Sequence, residues 1–243
     1  MKNKGEKERK GLGRREFVRM GAVSALAMAF GFPLARALAS AAKEKGYNVV
    51  TWARPHYEKY SCMVIKQNIC IDCERCMDAC KNTWNISERP DYYRTQILER
   101  HVKAKGEKPL VEFIPVLCYH CDAPACVYAC PTSASYKRKE DGIVLVDPKK
   151  CIGCKACMLA CPYDARYFNE EIYAIDKCTF CQPILEKGGI PACVEACPTG
   201  TRVFGDLNDK KSEVYRLLHQ IEKRVWVLRP EASTRPRGGY IKI

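Results

Sequence analysis

Sixteen of the seventeen cysteines fall into four quartets with closely similar spacing, and this pattern constrains the fold more than any other feature. The first and third quartets read C-x2-C-x2-C-x3-C, the second widens its middle gap to four residues, and the fourth widens it to eleven. The quartets are Cys70, Cys73, Cys76 and Cys80; Cys118, Cys121, Cys126 and Cys130; Cys151, Cys154, Cys157 and Cys161; and Cys178, Cys181, Cys193 and Cys197.

This spacing decides between disulfides, zinc sites and iron–sulfur clusters. A C-x2-C-x2-C loop can wrap one cubane and supply three thiolates, while the fourth cysteine begins a helix that leads to a different cluster. Zinc sites usually have two C-x2-C pairs with a longer spacer, which only the fourth quartet resembles. Disulfides would not explain why Pro131, Pro162 and Pro198 each follow the last cysteine of a quartet. The pattern predicts four [4Fe–4S] clusters, bound by quartets that work in pairs and lend each other one ligand.

An internal repeat supports a duplicated module. The segments 130–136 (CPTSASY), 161–167 (CPYDARY) and 197–204 (CPTGTRVF) are parallel. Short β-rich runs precede three of the cysteine loops, at Met63–Ile65, Ile143–Val146 and Ile172–Ile175. Self-similarity on this scale predicts a unit of strand, loop, short helix and strand used four times, and hence an α+β fold.

Residues 1–39 are predicted to be a signal peptide. Arg14 and Arg15 lie in a basic segment, an uncharged and mainly apolar run extends from Met20 to Leu34, and Ala37-Leu38-Ala39 offers a cleavage site. The layout resembles a twin-arginine export signal. The run is shorter than the roughly 20 residues of a membrane span, although an uncleaved anchor helix is an alternative. We therefore expect a periplasmic location, or one on the outer face of the cytoplasmic membrane.

The net charge of +13 could favour a nucleic-acid partner. Thiolate-bound clusters are negative, however, and Lys and Arg are needed to offset them, so we expect no nucleic-acid partner. We find no paired carboxylates, Ser/His/Asp set or Gly-rich phosphate loop, which predicts a non-catalytic subunit. The apolar stretches after residue 42 are strand-sized, so membrane association would occur through a partner.

From about Cys62 to Asp209 the chain resembles the four-cluster iron–sulfur subunits of the dimethyl sulfoxide reductase superfamily. The likeness is closest to the electron-transfer subunits of polysulfide, thiosulfate and tetrathionate reductases and of the nitrite-reductase-associated quinol dehydrogenase. It is carried by segments 118–126 (CYHCDAPAC), 141–144 (DGIV), 151–154 (CIGC), 161–163 (CPY), 177–181 (KCTFC), 191–199 (PACVEACPT) and 204–209 (FGDLND).

The resemblance implies four ligand sets, which we name sites 1 to 4. Lys81 after Cys80 departs from the proline of the other quartets, which weakens that ligand assignment only slightly. Site 1 would consist of Cys70, Cys73, Cys76 and Cys197; site 2 of Cys118, Cys121, Cys126 and Cys161; site 3 of Cys151, Cys154, Cys157 and Cys130; and site 4 of Cys178, Cys181, Cys193 and Cys80.

These sets imply two ferredoxin-like units, one nested in the other. The first segment, 60–100, would pair with the fourth segment, 172–205, around a central two-cluster unit, 109–171. Residues 206–243 would form a C-terminal helix and an extended tail.

The resemblance also implies partners. Electrons would pass one at a time between a molybdopterin (or tungstopterin) catalytic subunit and a quinone-reactive integral membrane subunit. An alternative is a quinol dehydrogenase module that feeds a cytochrome or hydrogenase without a molybdenum partner. A purely structural zinc protein is a third hypothesis.

Several other residues lie near the quartets. Cys62 is predicted to be a buried thiol that packs as a small hydrophobe, and His120 a loop residue near a cluster rather than a ligand. Four lysines lie next to or near the cysteine loops, and one hypothesis is that their positive charge raises the reduction potentials of the clusters. The alternative is that they are ordinary solvated lysines. They are Lys66, Lys81, Lys155 and Lys177.

Two further segments lie outside the cysteine loops. The insert Asn82–Pro115 contains Trp84 and the pair Tyr92-Tyr93, which would suit either a partner interface or packing over the clusters. Helical spacing of apolar residues after Asp209 predicts an amphipathic helix through Val214, Leu217, Leu218 and Ile221. The tail Arg229–Ile243 is expected to run extended along the surface or a partner.

Overall fold

The computed structural model describes residues 57–102, 110–219 and 225–243. The chain divides into two units, Met1–Gly46 and Tyr47–Ile243, and the described residues all belong to the second. The predicted signal peptide, residues 1–39, lies outside the described residues.

Short strands and short helices alternate along the described chain, as an α+β fold predicts. The strands are β1 (Ser61–Lys66), β2 (Thr95–Val102), β3 (Leu110–Leu117), β4 (Ser135–Lys137), β5 (Val144–Val146), β6 (Tyr167–Asn169), β7 (Ala174–Asp176), β8 (Arg202–Asp206) and β9 (Gly238–Ile241). The helices are α1 (Arg75–Trp84), α2 (Ala125–Tyr128), α3 (Ala156–Leu159), α4 (Gln182–Leu185), α5 (Ala192–Glu195) and α6 (Glu213–His219). Single 3₁₀ turns occur at Gln67–Ile69 and Pro230–Ala232.

Every cysteine quartet follows a strand and includes a short helix, in the predicted order. Strands β1, β3, β5 and β7 lead into the four loops, and β2, β4, β6 and β8 follow the helices. The apolar runs at Met63–Ile65 and Ile143–Val146 coincide with β1 and β5. The third run differs, because Tyr173 takes a left-handed φ of 49° and β7 begins only after this turn.

Strand β1 is the centre of a three-stranded sheet with the order β8-β1-β9. It pairs antiparallel with β8, with Met63 opposite Phe204, and parallel with β9, with Val64 opposite Gly239. The pairs β2–β3, β4–β5 and β6–β7 form separate antiparallel hairpins. The β1–β8 pairing brings the segment around the first quartet next to the end of the fourth.

The second half of the C-terminal tail enters the core, so the expectation of a tail along the surface or a partner is wrong for residues 236–241, whereas most of residues 229–235 are exposed. All four residues of β9 are buried. The hydroxyl of Tyr240 donates to the carbonyl oxygen of Pro115 at 2.8 Å, and the Arg237 guanidinium pairs with Asp122 at 2.8 Å. Gly238 permits the close approach, since a Cβ at this position would lie 2.2 Å from the carbonyl oxygen of Met63. An edge of β1 that would otherwise be unpaired is thereby covered.

The predicted amphipathic helix is confirmed in its described part. Val214, Leu217 and Leu218 are buried on one face of α6, whereas Ile221 lies outside the described residues. They pack in one cluster with Cys62, whose predicted burial is also confirmed. None of the helices in the described part of the chain combines the length and the apolar character needed to cross a bilayer.

Candidate iron–sulfur centres

All four C-x2-C loops contain a left-handed residue immediately before the second cysteine. These residues are Asp72, His120, Gly153 and Phe180, with φ values of 54°, 46°, 67° and 53°. Right-handed and left-handed residues in succession turn their N–H groups toward one side and form an anion-binding concavity of the kind found at iron–sulfur sites. In the fourth loop the N–H of Phe180 already points at the Cys178 sulfur, at 3.4 Å.

A second repeated turn surrounds the last cysteine of three quartets. The residue three positions after this cysteine is left-handed in each case, namely Ser133, Asp164 and Gly200. The turn directs backbone N–H groups at the sulfur, as in the 3.3 Å contact from Ser135 to Cys130. Burial raises the pKa of Cys130, but the N–H groups of residues 132, 134 and 135 and the Thr132 hydroxyl together outweigh burial and lower it.

The first quartet lacks this turn. Lys81 keeps the N–H that a proline would lack, and α1 continues without interruption to Trp84. Lysine in place of proline therefore changes the backbone path after Cys80 while leaving Cys80 itself buried.

The structure brings twelve of the quartet cysteines together around three cavities. Each cavity is lined by four cysteines, three from one quartet and one from another. The sets are Cys118, Cys121, Cys126 and Cys161; Cys130, Cys151, Cys154 and Cys157; and Cys80, Cys178, Cys181 and Cys193. They correspond to sites 2, 3 and 4. None of the sixteen quartet cysteines forms a disulfide.

The cysteines of site 1 lie where two elements pack together. Cys70 and Cys73 are in the loop after β1, and Cys76 is in the first turn of α1. Cys197 follows α5, which packs against α1. Burial raises the pKa of Cys70, and the charge of the nearby Cys76 raises it further, against the backbone N–H of Asp72, which lowers it.

The four sites are neighbours in the order 1, 4, 2, 3, and we call this succession the line of sites. In each neighbouring pair of sites, a cysteine of one site lies close enough to act electrostatically on a cysteine of the other. These pairs are Cys76 with Cys193 (sites 1 and 4), Cys178 with Cys118 (sites 4 and 2), and Cys126 with Cys157 (sites 2 and 3). All four cysteines of site 4 are buried, whereas one cysteine of each end site, Cys73 and Cys154, is exposed. The middle of the line is shielded and its ends are open.

Comparison with known proteins agrees with this architecture. Two family profiles, both described as a 4Fe-4S dicluster domain, match residues 110–207 and 69–134. The chain is 43% identical over 182 residues to a subunit of tetrathionate reductase from Salmonella typhimurium, covering 74% of this chain and 72% of the relative. It is 42% identical over 161 residues to Protein NrfC of Escherichia coli, covering 65% and 70%. It is 38% identical over 203 residues to a subunit of sulfite dehydrogenase from Allochromatium vinosum, covering 74% and 81%.

The chain belongs to this family of iron–sulfur subunits. Its cofactors are four [4Fe–4S] clusters, and its activity is electron transfer within an oxidoreductase. Family membership removes the structural zinc hypothesis, which the spacing of the fourth quartet alone left open.

The buried thiols and the buried arginine N–H groups have the chemistry that a bound cluster requires. Burial raises the pKa of Cys80 and of Cys121 to about 12, so these thiols are protonated without metal and release protons on ligation. Within the described residues, Nε and Nη1 of Arg166 and Nη1 of Arg202 are buried without an acceptor. Cluster sulfides and thiolates accept hydrogen bonds, so the residues fit the clusters.

Two aromatic residues of the insert pack over the sites. The indole N–H of Trp84 donates to the Cys181 sulfur at 3.4 Å, and Trp84 lines the cavity of site 4. Tyr92 is buried against Tyr167, with ring centroids 4.9 Å apart. Of the two interpretations of the insert, packing over a cluster site therefore applies to Trp84, and Tyr92 shares a buried cluster with Cys80 of the same site.

His120 is buried beside site 2, in agreement with its interpretation as a loop residue near a cluster. Its Nδ1 accepts the N–H of Val144 at 3.0 Å, and its ring lies on Phe180. Burial lowers the pKa of this histidine well below its usual value, so the ring is neutral.

Only one of the four lysines near the quartets is buried. Lys66 and Lys81 form surface ion pairs with Glu213 and Glu88, both at 2.9 Å. Lys155 lies over the ring of Phe168 at 4.7 Å. Lys177, by contrast, is enclosed between sites 2 and 4 and donates to the carbonyl oxygen of Cys178 at 2.8 Å.

Sequence reasoning missed two buried arginines at the sites. Arg166 donates to the Cys126 sulfur at 2.9 Å, and Arg202 lies beside Cys193 and Cys76. Both residues follow the last cysteine of a quartet by five positions, so an alignment of the repeats would have placed them together.

Proposed function

We propose that this protein relays single electrons between a quinone-reactive membrane subunit and a molybdopterin (or tungstopterin) catalytic subunit. The complex would be a respiratory oxidoreductase of the polysulfide, thiosulfate or tetrathionate type. A [4Fe–4S] cluster gains or loses one electron at a time. The observation that carries the proposal is the line of four cysteine sets, which has no exposed cysteine in its two middle sets and one in each end set.

Sites 1 to 4 are proposed as the ligand sets, and the organisation as one ferredoxin-like unit nested in another. The cross-quartet cysteines around three cavities support the ligand sets. The pairing of β1 with β8 supports the nesting, since these strands flank the central hairpins β4–β5 and β6–β7 in the sequence.

The two open ends have related surfaces that suit partners. Ile71 and Ile152 occupy the same position in the loops Cys70–Cys73 and Cys151–Cys154, and the two residues are 62% and 66% exposed. Apolar side chains beside an open redox site are typical of contact surfaces. Relatives named as subunits of tetrathionate reductase, sulfite dehydrogenase and selenate reductase support a place in a multi-subunit enzyme.

Export by the twin-arginine route is the third part of the proposal. Its basis is the sequence of residues 1–39, with Arg14-Arg15 before the apolar run. Replacing both arginines by lysine is expected to leave the protein in the cytoplasm with its clusters intact. Fractionation of cells and N-terminal sequencing of the exported chain measure location and cleavage; unchanged export of the variant would contradict this route.

The decisive experiment is anaerobic purification of the tagged full chain from its native host with whatever binds it. We expect about sixteen irons per chain, molybdenum or tungsten in a large partner, and a membrane partner through which quinol reduces the clusters. A cytochrome or hydrogenase in place of the molybdenum partner would favour the quinol dehydrogenase alternative. A preparation without iron would overturn the assignment as a whole.

A further inference from the structure

Three cations are buried within the line of sites. The fraction of the residue surface left exposed is 1% for Arg166, 1% for Lys177 and 2% for Arg202. Burying a charge without a counter-charge is strongly unfavourable. Each of these residues therefore requires a negative group in its immediate surroundings.

Two other cations with little exposed surface, the buried Arg237 and the partly buried Arg94, have a carboxylate partner. Arg94 pairs with Asp176 at 3.0 Å, and Arg237 pairs with Asp122 at 2.8 Å. The charges that act on Arg166 and Arg202 are instead thiolates. The sulfur of Cys126 lies 2.9 Å from Nη2 of Arg166.

Each of the three cations lies at a different junction between sites. Nη2 of Arg202 donates at 2.8 Å to the hydroxyl of Thr95, which lines the cavity of site 4, and its guanidinium lies near Cys76 of site 1 and Cys193 of site 4. Lys177 directly precedes Cys178 of site 4, and its Nζ donates to the carbonyl oxygen of Cys178 and to that of Val144, which lines the cavity of site 2.

Arg166 occupies the third junction. Its Nη2 donates to Cys126 of site 2 and to the Ser135 hydroxyl, each at 2.9 Å. The backbone N–H of the same serine donates to Cys130 of site 3. The remaining Nε and Nη1 of Arg166 find no acceptor among the described residues.

We propose that Arg202, Lys177 and Arg166 are positioning residues that supply the counter-charge at the three successive junctions and raise the reduction potentials of the clusters on both sides. Reduction adds one electron and no proton, so the negative charge beside the cation increases by one. A buried cation stabilises this extra charge more than the same cation in water does. The inference rests on the proposed ligand sets and not on the identity of the partners.

The repeat strengthens the assignment of the two arginines. They occupy the same position after Cys161 and Cys197, and each cysteine is lent to the neighbouring set. The corresponding position after Cys130 is Ser135, which instead accepts from Arg166. One guanidinium thus lies between the two sites of each ferredoxin-like unit: Arg202 between sites 1 and 4, and Arg166 between sites 2 and 3. Lys177 lies between the two units.

The test is a redox titration, followed by EPR, of the full chain loaded with iron and purified anaerobically with its partners. Arg166→Gln and Arg202→Gln remove one charge each. At a fixed potential, each variant is expected to lower the ratio of reduced to oxidised cluster at least tenfold at two sites, equivalent to 59 mV for a one-electron couple. The two variants must affect different pairs of titration waves.

Three controls separate charge from structure. Arg166→Lys and Arg202→Lys keep the charge and are expected to restore most of the ratio. Arg138→Gln removes a partly exposed arginine that pairs with Glu186 at 2.9 Å and is expected to move no wave. Iron content reports assembly independently of the potentials.

The outcomes distinguish this inference from the proposed function. The inference would be overturned if neither Gln variant shifted a titration wave, or if both shifted the same waves. In either case about sixteen irons per chain and intact partners would still support the proposed electron relay. If a Gln variant fails to load iron, the Lys variant at the same position tests the inference. Normal iron content and normal potentials of the Lys variant would support a requirement for charge, whereas failure of both variants to load iron would contradict it.

Discussion

Phe180 adopts a backbone conformation that a bulky side chain rarely takes, with φ of 53° immediately before Cys181. Conformations of this kind cost about 1–3 kcal/mol each and persist where the surroundings impose them. Asp72, His120 and Gly153 share the conformation in the other three loops. Only one of the four is glycine, so the sequence spacing identifies the loops but does not reveal this shared turn.

Cys62 differs from the quartet cysteines because it packs in an apolar cluster with Val64 and Leu218. Cys62→Ala is expected to retain about sixteen irons per chain and to cost about 1 kcal/mol of unfolding free energy for the small cavity. Cys161→Ala, the matched control, is expected to lose about four irons. Iron and acid-labile sulfide analysis measures both. Loss of iron from the Cys62 variant would contradict its packing role.

The proposed exchange of ligands between quartets predicts how paired substitutions combine. Cys118 and Cys161 line the same cavity, so replacing both with alanine is expected to remove one cluster and leave about twelve irons. Cys151 and Cys161 belong to one quartet but to different cavities, so the double variant is expected to leave about eight. The reverse result would show that each quartet binds its own cluster. Because both double variants remove two thiols, each is the control for the other.

At the scale of elements, the hydrophobic runs before the cysteine loops predicted strands β1 and β5 because three or more consecutive β-branched or aliphatic residues lie between loop signals. The burial of β9 could not be predicted in this way. Its sequence, Gly-Gly-Tyr-Ile, has little strand propensity at its start and lies in a tail rich in Pro, Gly and Arg. The parallel partner that buries it, β1, is about 175 residues away in the sequence, so no local pattern indicates the pairing.

Gly238 gives a direct test of that pairing. A methyl group at this position would overlap the carbonyl oxygen of Met63, so Gly238→Ala is expected to push β9 off β1 at a cost of about 1–3 kcal/mol. Hydrogen exchange of the amides in 239–241 is expected to accelerate. Gly188→Ala is the control, since a Cβ there has nothing within 4 Å although its φ is also positive, at 78°. Equal effects of the two substitutions would contradict close β1–β9 packing.

At the scale of the whole molecule, the sites and the polypeptide depend on each other. The largest apolar cluster includes Cys76, Cys118, Cys178 and Cys193, so the core and the ligand shell are partly the same residues. The sequence predicted the quartets and their number because ligand spacing is local. The buried arginines could not be recognised as such, because Arg166 and Arg202 look like any charged residue until the strands that enclose them are assembled.

The open ends and shielded middle of the line predict the order in which iron is lost. Sites 1 and 3 each have an exposed cysteine, whereas every cysteine of site 4 is buried and site 2 has none that is exposed. Under mild oxidation with a chelator, about eight irons are expected to leave first and about eight more only as the fold opens. Iron release followed together with circular dichroism measures both phases, the second of which must coincide with loss of structure. Release of all sixteen irons in a single phase, before any unfolding, would mean that the middle sites are not protected by the protein around them.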